Sequence, residues 1–299
     1  MAAKGDMNRF SIKDIENLTG IRAHTIRIWE QRYGILQPKR TATNIRYYDA
    51  LDLKLALRIA LLNSYGYKIS RIHQMTDGDM NALIQKINDN EFKLQMLVNE
   101  LLDLMLTMQI DEFEERVNDY IKQHGIEHTV EQLLFQFLEK IGIMWMTDRI
   151  YPAQEHLVCN VIYRKLALGI EHLPKKSPDA GPQVVLFLPE GEVHDIGLMY
   201  VNFILRKYGK SPIYLGPNTP LEDVRVVCEQ KNPEYLYLHL TSVAHEFDAP
   251  KYFQKLHAIC PGSKILVSGG LLKHSKHAVL PNMRYLSNLQ EAKSVLISV

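Results

Sequence analysis

Residues 25–40 read TIRIWEQRYGILQPKR, and a second basic and aromatic group, RYY, follows at residues 46–48. Upstream of this stretch, Ser11 is placed to cap a first helix, and a turn at Gly20 ends it. A second helix starts at about Ala23, because apolar residues recur there at helical spacing. Two short helices joined by a tight turn predict a helix-turn-helix in this part of the chain.

The second helix of this motif has an apolar face and a polar face. Ile26 and Trp29 point inward, whereas His24, Thr25 and Arg27 lie on the outer side. The second helix of a helix-turn-helix enters the major groove of DNA with its N-terminal residues first. We therefore expect these three polar residues to lie near base edges or near the flanking phosphates.

The residues after this helix predict a basic wing. Two short extended arms flank residues 42–44 and form a hairpin, and Asp49 then caps a helix that runs to about Ser64. Through residue 75 the chain has thirteen Lys and Arg against six Asp and Glu, although its net charge is only +1. The remainder is therefore net acidic, and a basic segment on such a chain is typical of a protein that binds a phosphate backbone.

Residues 8–76 resemble the MerR family of transcriptional regulators, on the run from Thr25 to Arg40 and on the group at residues 46–48. The resemblance implies a winged helix-turn-helix domain over residues 1–78. It also implies binding to double-stranded operator DNA as a dimer, with a roughly palindromic operator. The base-proximal and backbone-contacting residues that it assigns are His24, Thr25, Arg27, Arg40, Arg46 and Tyr47.

Residues 90–173 predict a helical bundle. Apolar residues recur there at spacings of three and four, in a pattern typical of about four helices. Trp145 is followed ten residues later by Glu155-His156, across a predicted loop. An adjacent Glu-His pair at the start of a helix is usually an ordinary exposed pair, so the bundle by itself assigns it no role.

Residues 183–299 alternate short apolar runs with helical stretches, after a proline-rich linker at residues 174–182. This alternation predicts a doubly wound parallel α/β sheet of the Rossmann-like type. Ligands of such sheets bind at the carboxyl ends of the strands. The loop that carries His194, the turn Thr241-Ser242 and the loop Gly269-Gly270 fall at that edge, so they predict a ligand cleft.

The chemistry of this cleft stays open from the residues alone. His194, with Asp195 beside it, can act as a base, a metal ligand or a helix-capping residue. The chain has no GxGxxG, which disfavours a dinucleotide, and no second His or Cys at zinc spacing. No serine or cysteine lies in a nucleophile-elbow motif.

Residues 192–197, EVHDIG, together with Thr241-Ser242-Val243 and Ser268-Gly269-Gly270, resemble the cobalamin-binding fold. The order of wing domain, bundle and sheet is similar to the CarH/LitR type of MerR regulator over essentially the whole chain. The resemblance implies that His194 is the lower axial ligand of cobalt. It further implies that Glu192 holds the other imidazole nitrogen, and that Gly197 admits the nucleotide tail of the cofactor.

The same resemblance makes the bundle a cap over the upper face of the cofactor, which would carry an adenosyl group, as in adenosylcobalamin. Light-sensing members have His directly after the bundle tryptophan, where this chain has Met146. Cobalamin binding is therefore better supported than a light response. The cofactor-binding residues that the resemblance implies are Trp145, Glu155, His156, Glu192, His194, Gly197, Ser242, Gly269 and Gly270, with His194 as the metal ligand.

The patterns predict a multidomain α and α/β protein, and the two resemblances imply that it represses transcription and binds its operator, as a homo-oligomer (dimer or tetramer), under the control of cobalamin, with a response to light left open. An alternative is a MerR-type regulator whose sheet domain has lost cobalamin and senses another ligand or a partner protein. A cobalamin-dependent enzyme is disfavoured, because 299 residues leave no room for a separate substrate barrel beside the DNA-binding segment.

Composition is consistent with an ordinary globular protein, with 46% apolar and 23% charged residues. No run approaches the length of a membrane span and the first residues lack the apolar core of a secretory signal, so we expect a cytoplasmic protein that does not bind membranes. Cys159, Cys228 and Cys260 are far apart in sequence. We therefore expect neither a disulfide framework nor a zinc site, but three small buried apolar side chains.

Overall fold

The computed structural model describes residues 8–174, 182–242, 247–271 and 280–298. Most of the predicted linker and Val243 lie outside the described residues. The chain divides into two compact units, Met1–Val161 and Ile162–Val299. The division into three domains at residues 1–78, 90–173 and 183–299 stays a prediction.

The helix-turn-helix forms where the sequence predicts it. Helix α1 (Ile12–Thr19) is capped by Ser11, whose hydroxyl accepts from the amide of Asp14 at 3.2 Å, while the Asp14 carboxylate accepts from the Ser11 amide at 2.6 Å. Gly20, with a φ of 75°, ends this helix, because a left-handed backbone is accessible to glycine without steric cost. Helix α2 (Ala23–Tyr33) follows directly.

The wing is a two-stranded antiparallel hairpin. Strands β1 (Lys39–Arg40) and β2 (Arg46–Tyr47) pair with each other, and Asn44 takes a φ of 66° in the turn between them. Helix α3 (Ala50–Ser64) then begins at the predicted cap, Asp49, which forms a reciprocal capping box with the third helical residue. The predicted cap of α3 at Asp49 and its predicted end at about Ser64 are therefore confirmed.

The rest of the first unit is helical. Fully buried phenylalanine, valine and leucine side chains from these helices form its core, as the three-and-four spacing predicts. A π-helical segment, Thr129–Leu134, interrupts the predicted regular bundle. The helices are α4 (Ile69–Ile72), α5 (Asp77–Lys86), α6 (Asn90–Leu106), α7 (Ile110–His124), α8 (Ile126–His128), α9 (Phe135–Met146) and the first half of α10 (Pro152–Glu171), which continues into the second unit.

An ion pair joins helix α1 to the loop between α9 and α10. The carboxylate of Asp14, which is only 2% exposed, accepts from Nε of Arg149 at 2.7 Å. The carbonyl of Arg149 accepts from the amide of Asn8 at 2.9 Å, and its own amide donates to the carbonyl of Met144 at 3.0 Å. One loop residue therefore holds both the start of the helix-turn-helix and the end of α9.

The second unit contains a five-stranded parallel sheet, in the order β4-β3-β5-β6-β7. The order reverses beside the first strand of the sheet, which is where a doubly wound sheet binds its ligands. The strands are β3 (Val184–Pro189), β4 (Ile213–Thr219), β5 (Tyr235–His239), β6 (Lys264–Ser268) and β7 (Met283–Tyr285); the helices are α11 (Ile196–Lys207), α12 (Leu221–Lys231), α13 (Ala249–Ile259) and α14 (Leu289–Ser298).

Both faces of this sheet are covered. Helices α12 and α13 pack on one face, and α11 and α14 pack on the other. Alternate residues of β3 point into the two cores, and all six of its residues are buried, as the continuous apolar run predicts. The predicted doubly wound parallel architecture is therefore confirmed.

The expectation of three isolated cysteines is wrong for two of them. Cys228, in α12, and Cys260, directly after α13, are joined by a disulfide bond, with their Cα atoms 6.1 Å apart. Because these two helices lie on the same face of the sheet, residues separated by 32 positions become neighbours. Cys159 is a free thiol in α10, and burial raises its pKa.

Among the described residues, every helix is too short or too polar to cross a bilayer. That finding agrees with the sequence, in which apolar runs are short.

Candidate functional site

The loop between β3 and α11 carries an imidazole that is held by a buried carboxylate. Glu192 is fully buried, and its Oε1 lies 2.7 Å from Nδ1 of His194 and accepts from the backbone amide of His194 at 2.9 Å. The side chain of His194 is 49% exposed. The Nδ1 edge of the ring is therefore fixed in place, while about half of the side chain is exposed to solvent.

The second oxygen of Glu192 joins this loop to the end of β5. Its Oε2 accepts from the backbone amides of Thr241 at 2.9 Å and of Ser242 at 2.6 Å. Parallel strands end at the same edge of a sheet, and β3 is the direct neighbour of β5. The carboxylate thus ties together two of the three loops that the sequence places at this edge.

These hydrogen bonds determine the charge of the carboxyl and the tautomer of the ring. Burial alone raises the pKa of Glu192, but hydrogen bonds from the His194 ring and from three backbone amides outweigh it, so its pKa falls below the ordinary value of 4.5. An ionised carboxylate accepts hydrogen bonds only, so Nδ1 of His194 must carry the proton. In the neutral imidazole, the lone pair is then on Nε2.

Asp195, the other acidic neighbour of His194, has a different partner. Its carboxylate accepts from the hydroxyl of Tyr214 in β4 at 3.1 Å, and burial raises its pKa. The short contact to the imidazole of His194 is made by Glu192, as the resemblance implies, and not by the adjacent Asp195.

Gly197 lies against a histidine that the sequence did not single out. A Cβ at Gly197 would overlap Cδ2 and Nε2 of His239, the last residue of β5. Nδ1 of His239 is 2.7 Å from the hydroxyl of Ser268, which is 2.6 Å from the hydroxyl of Tyr237. Burial lowers the pKa of His239 to about 4, so the ring is neutral at physiological pH.

The glycine pair after β6 has a tight backbone contact. Gly269 has a φ of 103°, and a Cβ there would overlap the backbone carbonyl of Leu240. Glycine is therefore required at this position by the approach of two loops, whatever ligand is bound. At Gly270 a Cβ would have open space, and the side chain of Ser242 is exposed.

The predicted DNA-contact residues lie on α2 and on the wing. Ile26 and Trp29 are 1% and 6% exposed, which confirms the predicted inner face of α2, and on its outer side His24 and Arg27 are exposed while Thr25 is half-buried. The inner face thus packs the helix against the rest of the motif.

The wing residues differ in how they are held. Nη1 of Arg40 donates to Oδ1 of Asn44 at 2.7 Å, so part of this guanidinium braces the wing turn. Arg46 is exposed on the paired strand, and the guanidinium of Arg9 lies 4.8 Å from the ring centre of Tyr47. The wing therefore presents several cationic groups on a braced hairpin.

The predicted cap residues lie near the ends of α9 and α10. Trp145 is 39% exposed and Met146 is 80% exposed. Glu155 is mostly buried and lies 2.8 Å from Nδ1 of His156, through Oε2, while its Oε1 accepts from the thiol of Cys159 at 3.1 Å. The adjacent pair is therefore joined side chain to side chain, with the imidazole on the surface.

Two segments of the chain match described families. Residues 10–79 match the family described as MerR HTH family regulatory protein, and residues 97–168 match the family described as B12 binding domain. The first match covers the helix-turn-helix, wing and following helices. The second covers most of the helical bundle.

Two curated relatives align over nearly the whole chain. The HTH-type transcriptional repressor CarA of Myxococcus xanthus is 24% identical over 291 residues, which is 95% of this chain and 95% of that protein. The HTH-type transcriptional repressor CarH of the same organism is 24% identical over 276 residues, covering 90% of this chain and 91% of that protein.

The solved monomethylamine corrinoid protein of Methanosarcina barkeri has a similar fold. The alignment covers 68% of this chain and 98% of that chain, with a TM-score of 0.53 and 17% sequence identity. At that identity the likeness supports the fold alone. The two family matches and the two long relatives together give the chain a MerR-type helix-turn-helix and a B12-binding domain, in a sequence homologous over nearly its whole length to the CarA and CarH transcriptional repressors of Myxococcus xanthus.

Proposed function

We propose that this chain is a transcriptional repressor whose binding to double-stranded operator DNA is controlled by adenosylcobalamin, held at the carboxyl edge of the sheet. The observation that carries the proposal is the pair of Glu192 and His194, a buried ionised carboxylate 2.7 Å from Nδ1 of a half-exposed imidazole. The repressor function is supported by the names of the two long relatives.

The arrangement of His194 suits a lower axial ligand of cobalt. A metal-ligating histidine needs a lone pair on one nitrogen and a hydrogen-bond acceptor on the other, which fixes the tautomer and raises the basicity of the ligand. Glu192 supplies that acceptor, and the hydrogen bonds that it accepts lower its pKa, which favours the ionised form. When bound, the cofactor would supply a corrin-held cobalt ion, an electron-pair acceptor that Nε2 of His194 would hold.

The remaining cofactor contacts are proposed from their positions. Ser242 lies at the same sheet edge because its amide donates to Glu192, and Gly269 lies there because it packs on the backbone of Leu240. With Gly270, these residues would line the path of the nucleotide tail that Gly197 admits. In the first unit, the residues proposed to contact the upper ligand are Trp145, Glu155 and His156.

The DNA contacts are proposed to divide between base reading and backbone positioning. His24, Thr25 and Arg27 are on the outer side of the helix that enters the major groove. Arg40, Arg46 and Tyr47 are on the wing and would contact phosphates. Replacing Arg46 with Ala should weaken binding to all sequences alike and reduce the slope of log affinity against log salt by about 1, whereas replacing the bundle residue Arg116 should leave the slope unchanged.

The cofactor can control DNA binding only if it has different affinities for two arrangements of the protein. We propose that the cofactor-bound chain forms a homo-oligomer, a dimer or a tetramer, that brings paired wing domains onto a two-fold operator. A cofactor that favours this oligomer then raises operator affinity without contacting DNA.

Operator binding by purified protein, with and without adenosylcobalamin, tests the proposal. We expect tight binding with the cofactor, weak binding without it, and no response to the cofactor in His194→Ala. Because Met146 replaces the histidine of light-sensing members, illumination of the loaded protein should leave operator affinity unchanged. Release on illumination would establish a light response, and indifference of the unmodified protein to the cofactor would favour the regulator that senses another ligand or a partner protein.

A further inference from the structure

Helix α9 ends in a tight turn that contains one left-handed residue. The amide of Asp148 donates to the carbonyl of Trp145 at 3.1 Å, and the amide of Arg149 donates to the carbonyl of Met144 at 3.0 Å. Asp148 has a φ of 52°, a backbone conformation that costs an aspartate more than a glycine. The two hydrogen bonds form a Schellman motif, so the position of Arg149 follows that of the last turn of α9, which carries Trp145.

The residue that closes this turn also contacts the start of the helix-turn-helix. Nε of Arg149 donates to Oδ2 of Asp14 at 2.7 Å, and the same oxygen accepts from the amide of Ser11, the residue that caps α1, at 2.6 Å. The ion pair and the helix cap therefore share one carboxylate oxygen. A shift of Arg149 acts directly on the N-terminal end of α1.

Helix α1 in turn packs against helix α2. Both helices have buried apolar side chains: Ile15 and Leu18 on α1, and Ile26 and Trp29 on α2. Protein interiors are close-packed, so a displacement of one packed helix is passed to its neighbour. A change in the position of α1 therefore changes how the outer side of α2, which is proposed to read bases, is presented to DNA.

We propose that Arg149 is a positioning residue that connects the end of α9 to helix α2, so that a change at Trp145 alters how α2 is presented to DNA. The inference rests on the proposed function, since it takes Trp145 to contact the upper ligand of the cofactor. Arg149 itself would contact neither the cofactor nor DNA. Because coupling between two sites is reciprocal, DNA binding must in turn change the surroundings of Trp145.

This reciprocal effect can be measured without the cofactor. The chain has two tryptophans, Trp29 and Trp145, so labelling with fluorotryptophan gives two fluorine NMR resonances, which Trp145→Phe assigns. The probe is a DNA duplex selected from a random-sequence library by the unmodified protein. The Trp29 resonance, from α2, reports that each variant is folded and has bound the duplex.

We expect the Trp145 resonance to shift when the duplex saturates the unmodified protein, and to lose most of that shift in Arg149→Ala. Arg116→Ala breaks an ion pair of similar length elsewhere in the bundle, so it is the matched control and should keep the full shift. A residue that served stability alone would lower the melting temperature and leave the shift of Trp145 unchanged.

Two variants of Asp148 test the turn while both members of the ion pair remain. Asp148→Gly keeps the left-handed backbone without steric cost, so the shift of the Trp145 resonance should be retained. Asp148→Val opposes that backbone, because a β-branched residue rarely adopts a positive φ, so the shift should fall. Equal shifts in the two variants would contradict a connection through this turn.

A second measurement includes the cofactor and separates this inference from the proposed function. In Arg149→Ala, the ratio of duplex affinities with and without adenosylcobalamin should fall about tenfold, a typical size for coupling between two sites, while affinity for the cofactor alone is unchanged. If the Trp145 resonance ignores DNA, or shifts equally in Arg149→Ala, the inference is wrong although cobalamin control still stands. If the shift depends on Arg149 but the unmodified protein binds DNA equally with and without the cofactor, the connection stands and the proposed control is wrong.

Discussion

Asp14 and Glu192 are buried acidic side chains, one in each unit, and each accepts hydrogen bonds from a backbone amide and from a basic side chain. Their partners differ. Arg149, the partner of Asp14, is 135 residues away in sequence and three quarters buried, whereas His194 is two residues from Glu192 and half exposed. The buried carboxylate of the first unit therefore joins two structural elements, whereas that of the second unit orients an imidazole that is half exposed to solvent.

This difference separates a structural carboxylate from one suited to a binding site. Asp14 is paired with Arg149, whose side chain is three quarters buried, so the pair contributes to holding α1 against the loop between α9 and α10. Glu192 instead orients a neighbouring nitrogen base, and its remaining oxygen anchors the adjacent strand end. A buried acid in a cleft is informative about function only when the group that it orients is accessible.

The largest expected effect is at His194. Replacing it with Ala should reduce affinity for adenosylcobalamin by at least about 100-fold, because the group proposed to bind cobalt is lost while the sheet is unchanged. The measurement is titration of the corrinoid absorbance. His128→Ala, which removes an exposed bundle histidine, is the matched control and should bind normally. If His194→Ala and His128→Ala bind adenosylcobalamin with equal affinity, the pair of Glu192 and His194 does not serve cofactor binding.

Replacing Glu192 with Gln should have the next largest effect, about 10- to 100-fold on the same affinity. Gln is close in size, but its amide brings hydrogens to a position where the carboxylate accepts from the ring and from three backbone amides. The ring should lose its fixed tautomer, which NMR of the imidazole nitrogens reports directly. A normal tautomer with weakened binding would show that Glu192 acts in some other way.

Removing the partner of Asp14 should cost stability and leave corrinoid affinity unchanged. Arg149→Ala leaves a buried carboxylate without its ion pair, and we expect a loss of about 2 kcal/mol in the free energy of unfolding, less than for a fully buried pair because part of Arg149 meets solvent. Urea denaturation measures it. Arg116→Ala breaks a 2.7 Å pair between half-exposed side chains and should cost less than about 1 kcal/mol.

The smallest effect is the pH dependence that Glu192 contributes. Its folded-state pKa is below 4.5, so its contribution to stability is fully present above that pH and is lost as the pH falls through the folded-state pKa. The difference in unfolding free energy between the unmodified protein and Glu192→Gln should therefore shrink on acidification from about pH 7 to below about pH 4. A difference that grows on acidification would contradict the direction of the pKa shift.

Local signals in the sequence predicted much of this molecule. Ser11 and Asp49 were identified as helix caps because capping depends on residues three positions apart, and both form capping boxes. The contact between Glu192 and His194 is implied by the resemblance of residues 192–197 to the cobalamin-binding fold, whereas the residues alone leave the role of His194 open. The buried strand β3 was evident from its continuous apolar run, since a strand covered on both faces shows no alternation.

Contacts that depend on long-range register were not predictable in the same way. His239 is a single polar residue in an otherwise apolar strand, and that was the available signal, but its position beside Gly197 depends on how β5 aligns with the start of α11. The bond between Cys228 and Cys260 depends on two helices sharing one face of the sheet. Arg149 and Asp14 meet only because the bundle loop folds back onto α1.

The position of Arg149 has a consequence for the geometry of operator recognition. Its carbonyl and guanidinium contact Asn8 and Asp14 at the start of the helix-turn-helix, and its amide contacts Met144 in α9, so two hydrogen bonds through one residue connect the reading head (the helix-turn-helix and its wing) to the end of α9. The reading head therefore keeps a fixed position relative to the end of α9. In a dimer, the surface through which two bundles associate would then set the distance between the two reading heads. That distance sets the number of base pairs between the operator half-sites, so the half-site spacing would report how the protein assembles.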